Sequence, residues 1–199
     1  MGKVIAIDHL TLDGVMQAPG HPDEDPRDGF RHGGWAASRG QDPAMQQAMS
    51  ARMSSAWSLL AGRTTYARFA DYWPKQPPNP FTDALNRVRK YVASSTLTEP
   101  LPWQNSVLLG GDPVEEVARL RKELDENLVV FGSGVLVRSL LPHGLVDELL
   151  LMIHPLVLGS GRKLFADCAP EPATLDLVET TTTATGVIIA VYRPTAATA

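Results

Sequence analysis

Three short segments carry glycines, hydroxyls and an arginine at spacings suited to holding phosphate. Phe131-Gly132-Ser133-Gly134-Val135 lies between an apolar run and a helix-forming one. Amides at a helix N-terminus attract phosphate, and glycines let it approach closely. The residue types also fit a plain tight turn with Ser133 as N-cap. The segment is neither of the two common nucleotide fingerprints: the third glycine of the dinucleotide motif falls on Val137, and no Gly-Lys-Ser/Thr follows. In Gly62-Arg63-Thr64-Thr65-Tyr66, Arg63 offers five donors in a fixed fork, and Thr64 and Thr65 add hydroxyls at a helix start. An ordinary helix cap with a surface arginine fits the same residues. Ser94-Ser95-Thr96 closes a third apolar run. Hydroxyls at the C-terminal end of a parallel strand stand where open α/β sheets bind ligands, and a polar turn is the other reading. In combination, three such turns at the ends of neighbouring strands could cradle a dinucleotide.

A proton source is the second requirement of reductive chemistry. Asp13, in Leu12-Asp13-Gly14 at the end of the first apolar run, is the candidate, as a buried carboxyl of raised pKa. An Asp-Gly turn explains it equally well. Asp23, Glu24, Asp25 and Asp28, with His21 and His32, suggest a metal, but no terminal glutamate completes a calcium loop, and a solvated loop is the simpler reading. No metal is therefore expected. His154 before Pro155 reads as a core histidine, and Met45, Met49 and Met53 as the buried stripe of one helix.

These segments need elements to position them. Strand-sized apolar runs occupy 4–7, 57–61, 91–93, 107–109, 128–131, 149–153 and 187–192. Several lack alternation, as strands buried on both faces do. Helices are expected at 43–56 and 113–126, opened by Asp42-Pro43 and Asp112-Pro113, and at 133–141. The order β, long loop, α, β, α, β, β, α, β, α, β, β predicts a mostly parallel α/β sheet with helices on both faces. The last two runs are expected to close it as an antiparallel edge. Residues 73–80, with four prolines, read as a rigid connection, and the glycine-rich, acidic stretch 17–41 as a functional loop.

The chain has 199 residues, 44% hydrophobic and 20% charged, which suits one soluble domain over 1–194 with a frayed tail at 195–199. The net charge of −4 and the scattered 18 basic residues exclude a nucleic-acid footprint. A single cysteine, Cys168, forbids an intramolecular disulfide. The opening apolar run is shorter than the roughly 7–15 residues of a secretory signal. A cytoplasmic protein is expected, with no membrane partner.

The order of these motifs resembles the dihydrofolate-reductase superfamily, and most closely the branch containing the reductase domain of riboflavin biosynthesis. Thr11-Leu12-Asp13-Gly14-Val15-Met16 resembles that branch's opening. The Gly62–Thr65, Ser94-Ser95 and Phe131–Gly134 segments resemble its cofactor turns. Leu145–Leu149 followed by Pro155–Gly161 resembles its closing signature. The resemblance implies NADPH and hydride transfer. It places Arg63, Thr64, Ser94 and Ser95 at the 2′-phosphate end and Gly132, Ser133 and Gly134 at the pyrophosphate, with Gly62, Thr65, Thr96 and Val135 as further cofactor-binding residues. Leu10 and Met16 would flank the nicotinamide, and the long loop would be a lid carrying Trp35 to the ring. The carboxylate that dihydrofolate reductases carry in the first helix has no counterpart in 43–56, where Gln46 stands as the substrate residue. The reading is an NADPH-dependent reductase of a small heterocyclic or carbonyl compound, a homodimer, possessing the pyrimidine-reductase type of activity on a phosphoribosylamino-uracil. The alternatives are an NADPH-binding protein without turnover and a metal-dependent hydrolase using the acidic loop.

Overall fold

A computed structural model describes residues 2–40, 42–53, 56–166 and 172–195. Among them, eight strands form one sheet: β1 Val4–Thr11, β2 Trp57–Gly62, β3 Lys90–Ala93, β4 Ser106–Leu109, β5 Asn127–Phe131, β6 Glu148–His154, β7 Leu175–Thr182 and β8 Ile188–Pro194. Their spatial order is β4-β3-β2-β5-β1-β6-β8-β7. The first six are parallel to one another, while β8 runs antiparallel to both β6 and β7. The expected mostly parallel sheet with an antiparallel C-terminal edge is the observed one.

Helices cover both faces, which is why the central strands read as unbroken apolar runs. Val4, Ala6 and Leu10 of β1 pack with Val117 and Leu120 of α4 (Pro113–Glu123) and with Leu136, Val137 and Leu140 of α5 (Gly134–Leu140). Ile5 and Ile7 turn the other way, into a cluster with Met45 of α1 (Pro43–Arg52), Tyr66 of α2 (Arg63–Tyr72) and Leu85 of α3 (Pro80–Arg87). The caps are as the residues suggest: Asp42 accepts from the Ala44 amide, and Asp112 from those of Val114 and Glu115. Such caps are each worth about 1 kcal/mol.

Two elements differ from expectation. The proline-rich connection ends not in coil but in α3, whose first amides, on Phe81 and Thr82, are taken by Asn79. The stretch between the last two apolar runs contains β7, an outer strand whose residues are nearly all exposed, so no apolar run announces it. The first helix ends at Arg52, which reaches Glu148 of β6 at 2.9 Å and Glu179 of β7 at 3.1 Å. The end of the expected helix at 54–55, Cys168 and the tail at 196–199 lie outside the described residues.

One feature of register positions the site. β1 pairs with β5 only as far as Ile7 opposite Phe131, where the Gly132 amide bonds to the Ile7 carbonyl. β1 then continues through Asp8, His9, Leu10 and Thr11 beside β6 alone. The C-terminal edge of the sheet therefore opens between β5 and β1, the kind of place where parallel sheets bind ligands.

Candidate active site

The three cradle segments lie at the ends of β3, β2 and β5, three adjacent parallel strands, so they share one edge. Two of them are joined directly: the Gly62 amide donates to Ser133 Oγ at 3.1 Å. Ser133 is thus not a cap of its own helix; its hydroxyl ties the β5 turn to the β2 turn. It pays for this with a left-handed backbone, φ 55° and ψ 43°, next to Gly132 at φ +61°. A non-glycine residue in that region costs on the order of 1 kcal/mol, the kind of local strain found at ligand sites.

The turn is closely lined. A Cβ on Gly132 would lie 3.8 Å from Met16 Cε and 3.9 Å from Thr65 Oγ1. A Cβ on Gly134 would overlap Met16 Sδ. Gly62, Thr65, Met16 and Gly132–Gly134 therefore form one cluster, with Leu10 buried in the layer beneath. Val135 is exposed at its rim, as is Arg63, whose guanidinium has no partner among the described residues. Ser94 Oγ accepts from the amides of Thr96 at 3.1 Å and Leu97 at 3.0 Å, closing a local turn that leaves Ser95 and Thr96 exposed.

The long loop packs as a lid on α2. Asp25 bonds Arg27 and Arg68, Arg27 reaches Thr64 Oγ1 at 3.3 Å, and His21 stacks on Tyr72 at 5.0 Å. Glu24 accepts from the Gly20 amide, and Asp28 pairs with Arg162. Three of the loop's four acids, Glu24, Asp25 and Asp28, are thus engaged by protein groups, and among the described residues no three metal-ligating side chains come together. Gly33 is required by close approach, since a Cβ there would overlap the Pro22 carbonyl. Trp35 donates to the Gln17 carbonyl at 2.7 Å and sets its ring edge-on to His154, 5.2 Å between centroids. An open hollow of about 570 Å³ beside Trp57 and Glu126 lies at the opposite end of the strands, and one of about 440 Å³ is lined by Arg138, Arg162 and Lys163, next to Gly134 and Met16.

Two expectations need correction. Asp13 is not a raised carboxyl. The Thr11 hydroxyl at 2.6 Å, with the amides of Leu158 and Gly159, holds it down at about 2. Its work is to fasten the end of β1 to the segment after β6, so two separate stretches of the sequence resemblance are parts of one junction. Gln46 is exposed, because Met45 sets the inward face of α1 and the next residue turns about 100° away.

The sequence reading passed over two residues of β1. Asp8 is buried, its Oδ2 has no partner among the described residues, and burial pushes its carboxyl up to about 8. It lies just past the point where β1 leaves β5. His9 follows it, and its Nδ1 stands 2.9 Å from Nε2 of His154. Burial first, and His154 second, lowers His9 to about 3; burial and then Arg39 lower His154 to about 4. A lone carboxylate inside a non-alternating apolar run was the available signal for Asp8. The histidine pair, 145 residues apart in sequence, required the β1–β6 register.

The fold is that of the dihydrofolate-reductase-like proteins. It matches dihydrofolate reductase from Enterococcus faecalis, a structure complexed with NADP(H), at a TM-score of 0.62 with 16% identity over 98% of both chains. It matches a Shewanella sp. PV-4 protein assigned to riboflavin biosynthesis at a TM-score of 0.69, with 20% identity over 98% of this chain and 99% of that one. Residues 3–189 match the RibD C-terminal domain, and the chain belongs to that family. A Bacillus subtilis (strain 168) protein known as uncharacterized protein YyaP is 32% identical over 141 residues, covering 68% of this chain and 73% of that one.

Proposed function

We propose that this protein is an NADPH-dependent reductase of a small heterocyclic or carbonyl compound. One observation carries the reading: three phosphate-competent turns fall on three adjacent strand ends, with the fork of Arg63 free at their rim. Membership of the RibD C-terminal domain family supports it, as does the fold shared with an NADP(H)-complexed reductase. Arg63, with Thr64 and the hydroxyls of Ser94–Thr96, would hold the 2′-phosphate end. The amides around Gly132–Gly134 would take the pyrophosphate, on a turn where Gly134 lets the Met16 side chain lie against the backbone. The bound cofactor would supply the hydride. Arg27, Asp25 and Arg68 keep the lid on α2, and Trp35 would cover the end of β6 at His154, beside the site. Asp8, not Asp13, is the carboxyl that keeps a proton at neutral pH, and it is the candidate proton reservoir. A phosphoribosylamino-uracil remains the substrate suggested by the riboflavin-pathway resemblance. Two chains would pair through the outer strands, where Leu177, Val178 and Ile188 are exposed.

The test is NADPH consumption by the purified protein against a panel of cyclic carbonyl and nitrogen-heterocyclic compounds. Turnover that Gly134→Ala suppresses supports the reductase. Nucleotide binding without turnover across the panel supports the binding-protein alternative.

A further inference from the structure

We propose that His9, held by His154, is the substrate-recognition donor of this site, presenting Nε2–H to a carbonyl oxygen or imine nitrogen of a neutral, ring-sized substrate. The inference rests on the reductase reading of the sheet edge. It begins from place. Beyond Ile7, β1 has no β5 neighbour, and its odd-numbered residues face the α1 side of the sheet with Ile5 and Ile7. His9 is the first of them past the opening. A dinucleotide laid along the β3–β2–β5 turns would end beside it.

The direction of the hydrogen bond follows from burial. His9 Nδ1 and His154 Nε2 are 2.9 Å apart and share one hydrogen. His154 is fully buried, and its Nδ1 has no partner among the described residues. If the shared hydrogen sat on His9, His154 would carry its own hydrogen on Nδ1, a buried donor with no acceptor. Orphaned buried N–H groups are rarer than bare acceptors. His154 therefore keeps its hydrogen on Nε2 and donates it to His9 Nδ1. His9 then carries its hydrogen on Nε2, a nitrogen with no hydrogen-bond partner among the described residues, on a ring that remains partly exposed.

The donor is uncharged. Burial keeps both imidazoles neutral at physiological pH, and Arg39, the cation acting on His154, adds to this. Trp35 closes on the edge of His154 and contributes no charge. A neutral N–H recognises a carbonyl or imine, whereas it offers a carboxylate no charge of its own, and Arg39 acts on His154 rather than on His9. Recognition by one such donor rejects analogues lacking the acceptor.

The experiment is nitrogen NMR of the full-length protein labelled in its histidine rings. Both His9 and His154 are expected as the Nε2–H form, neutral down to about pH 5. Titration with 2-pyridone, a neutral ring with a carbonyl acceptor, should shift His9 Nε2 saturably and bind at least about tenfold more tightly than benzoate, a difference of 1.4 kcal/mol. His9→Phe should weaken 2-pyridone binding at least about tenfold, followed through the remaining His154 signals. A hydrogen on His9 Nδ1, benzoate binding as well as 2-pyridone, or no shift with either overturns the proposal. The tautomers are read on the unmodified chain, so a variant that fails to fold does not rescue it. They are also independent of nucleotide, so failure to bind NADPH would sink the reductase reading separately.

Discussion

Replacing Asp8 by Asn should change how stability depends on pH, and the size of the change follows from burial. The Asp8 carboxyl moves from an ordinary 3.8 to about 8 in the folded protein. Between those values the folded chain keeps a proton that the unfolded chain has released. Stability contributed by the protonated carboxyl is fully present below 3.8 and is lost as pH rises toward 8. The slope is about −1.4 kcal/mol per pH unit, or roughly 4 kcal/mol lost by pH 7, a large share of the 5–15 kcal/mol typical of a domain. The histidines act with the opposite sign. His9 and His154, lowered to about 3 and about 4, leave the unfolded chain taking up protons below 6.5 that the folded chain refuses. Two such groups outweigh one carboxyl, so wild-type stability should rise toward pH 6.5 and fall above it. Asn cannot ionise, so the alkaline fall should vanish in the variant. Urea unfolding followed by circular dichroism is the assay. With a slope near 2 kcal/mol per molar urea, the Asp8 carboxyl costs about 1.6 kcal/mol between pH 6.5 and 8, so the wild-type midpoint should drop by about 0.8 M relative to that of the variant. An uncharged Asn amide shifts the whole curve by a pH-independent amount, so the slope is the readout. Parallel curves for the two proteins over that range would refute the burial argument.

Other consequences are checked more simply. Gly134→Ala should weaken NADPH binding by about tenfold or more, because the new methyl pushes the Met16 side chain out of the lining of the turn, while the melting temperature changes little, since that side chain is flexible. Arg68→Ala removes one of two arginines from Asp25 and should speed hydrogen exchange across residues 17–40, leaving the sheet protected. Asn79→Ala should cost about 1 kcal/mol of stability by uncapping α3. Light scattering tests the dimer: a Leu177→Lys variant should shift a two-chain mass to one chain.

Much of the architecture was legible because the central strands are buried on both faces. Runs such as 57–61 and 128–131 could be recognised without alternation, and Asp42-Pro43 and Asp112-Pro113 marked two helix starts. Asn79-Pro80 carries the same signature, but it was hidden among prolines that read as a connection. β7 could not be read this way, since an outer strand of Leu-Asp-Leu-Val-Glu-Thr-Thr-Thr buries almost nothing. The cradle turns were visible as local motifs, yet their adjacency depends on β5 lying between β2 and β1, which only the sheet order reveals. Asp13 and Gln46 were misjudged for opposite reasons. The first is consumed by partners 145 and 146 residues away, and the second turns outward on a helix whose inward face its methionines decide.

The central claim is most directly tested by titrating the purified protein with NADPH and, separately, with NADH, for the wild type and for Arg63→Ala. The account predicts saturable binding of both, at least about tenfold tighter for NADPH, with the preference lost in the variant because a free arginine fork on a phosphate is worth at least that much. No binding of either nucleotide at millimolar concentration, or a preference for NADPH that Arg63→Ala leaves intact, would contradict it.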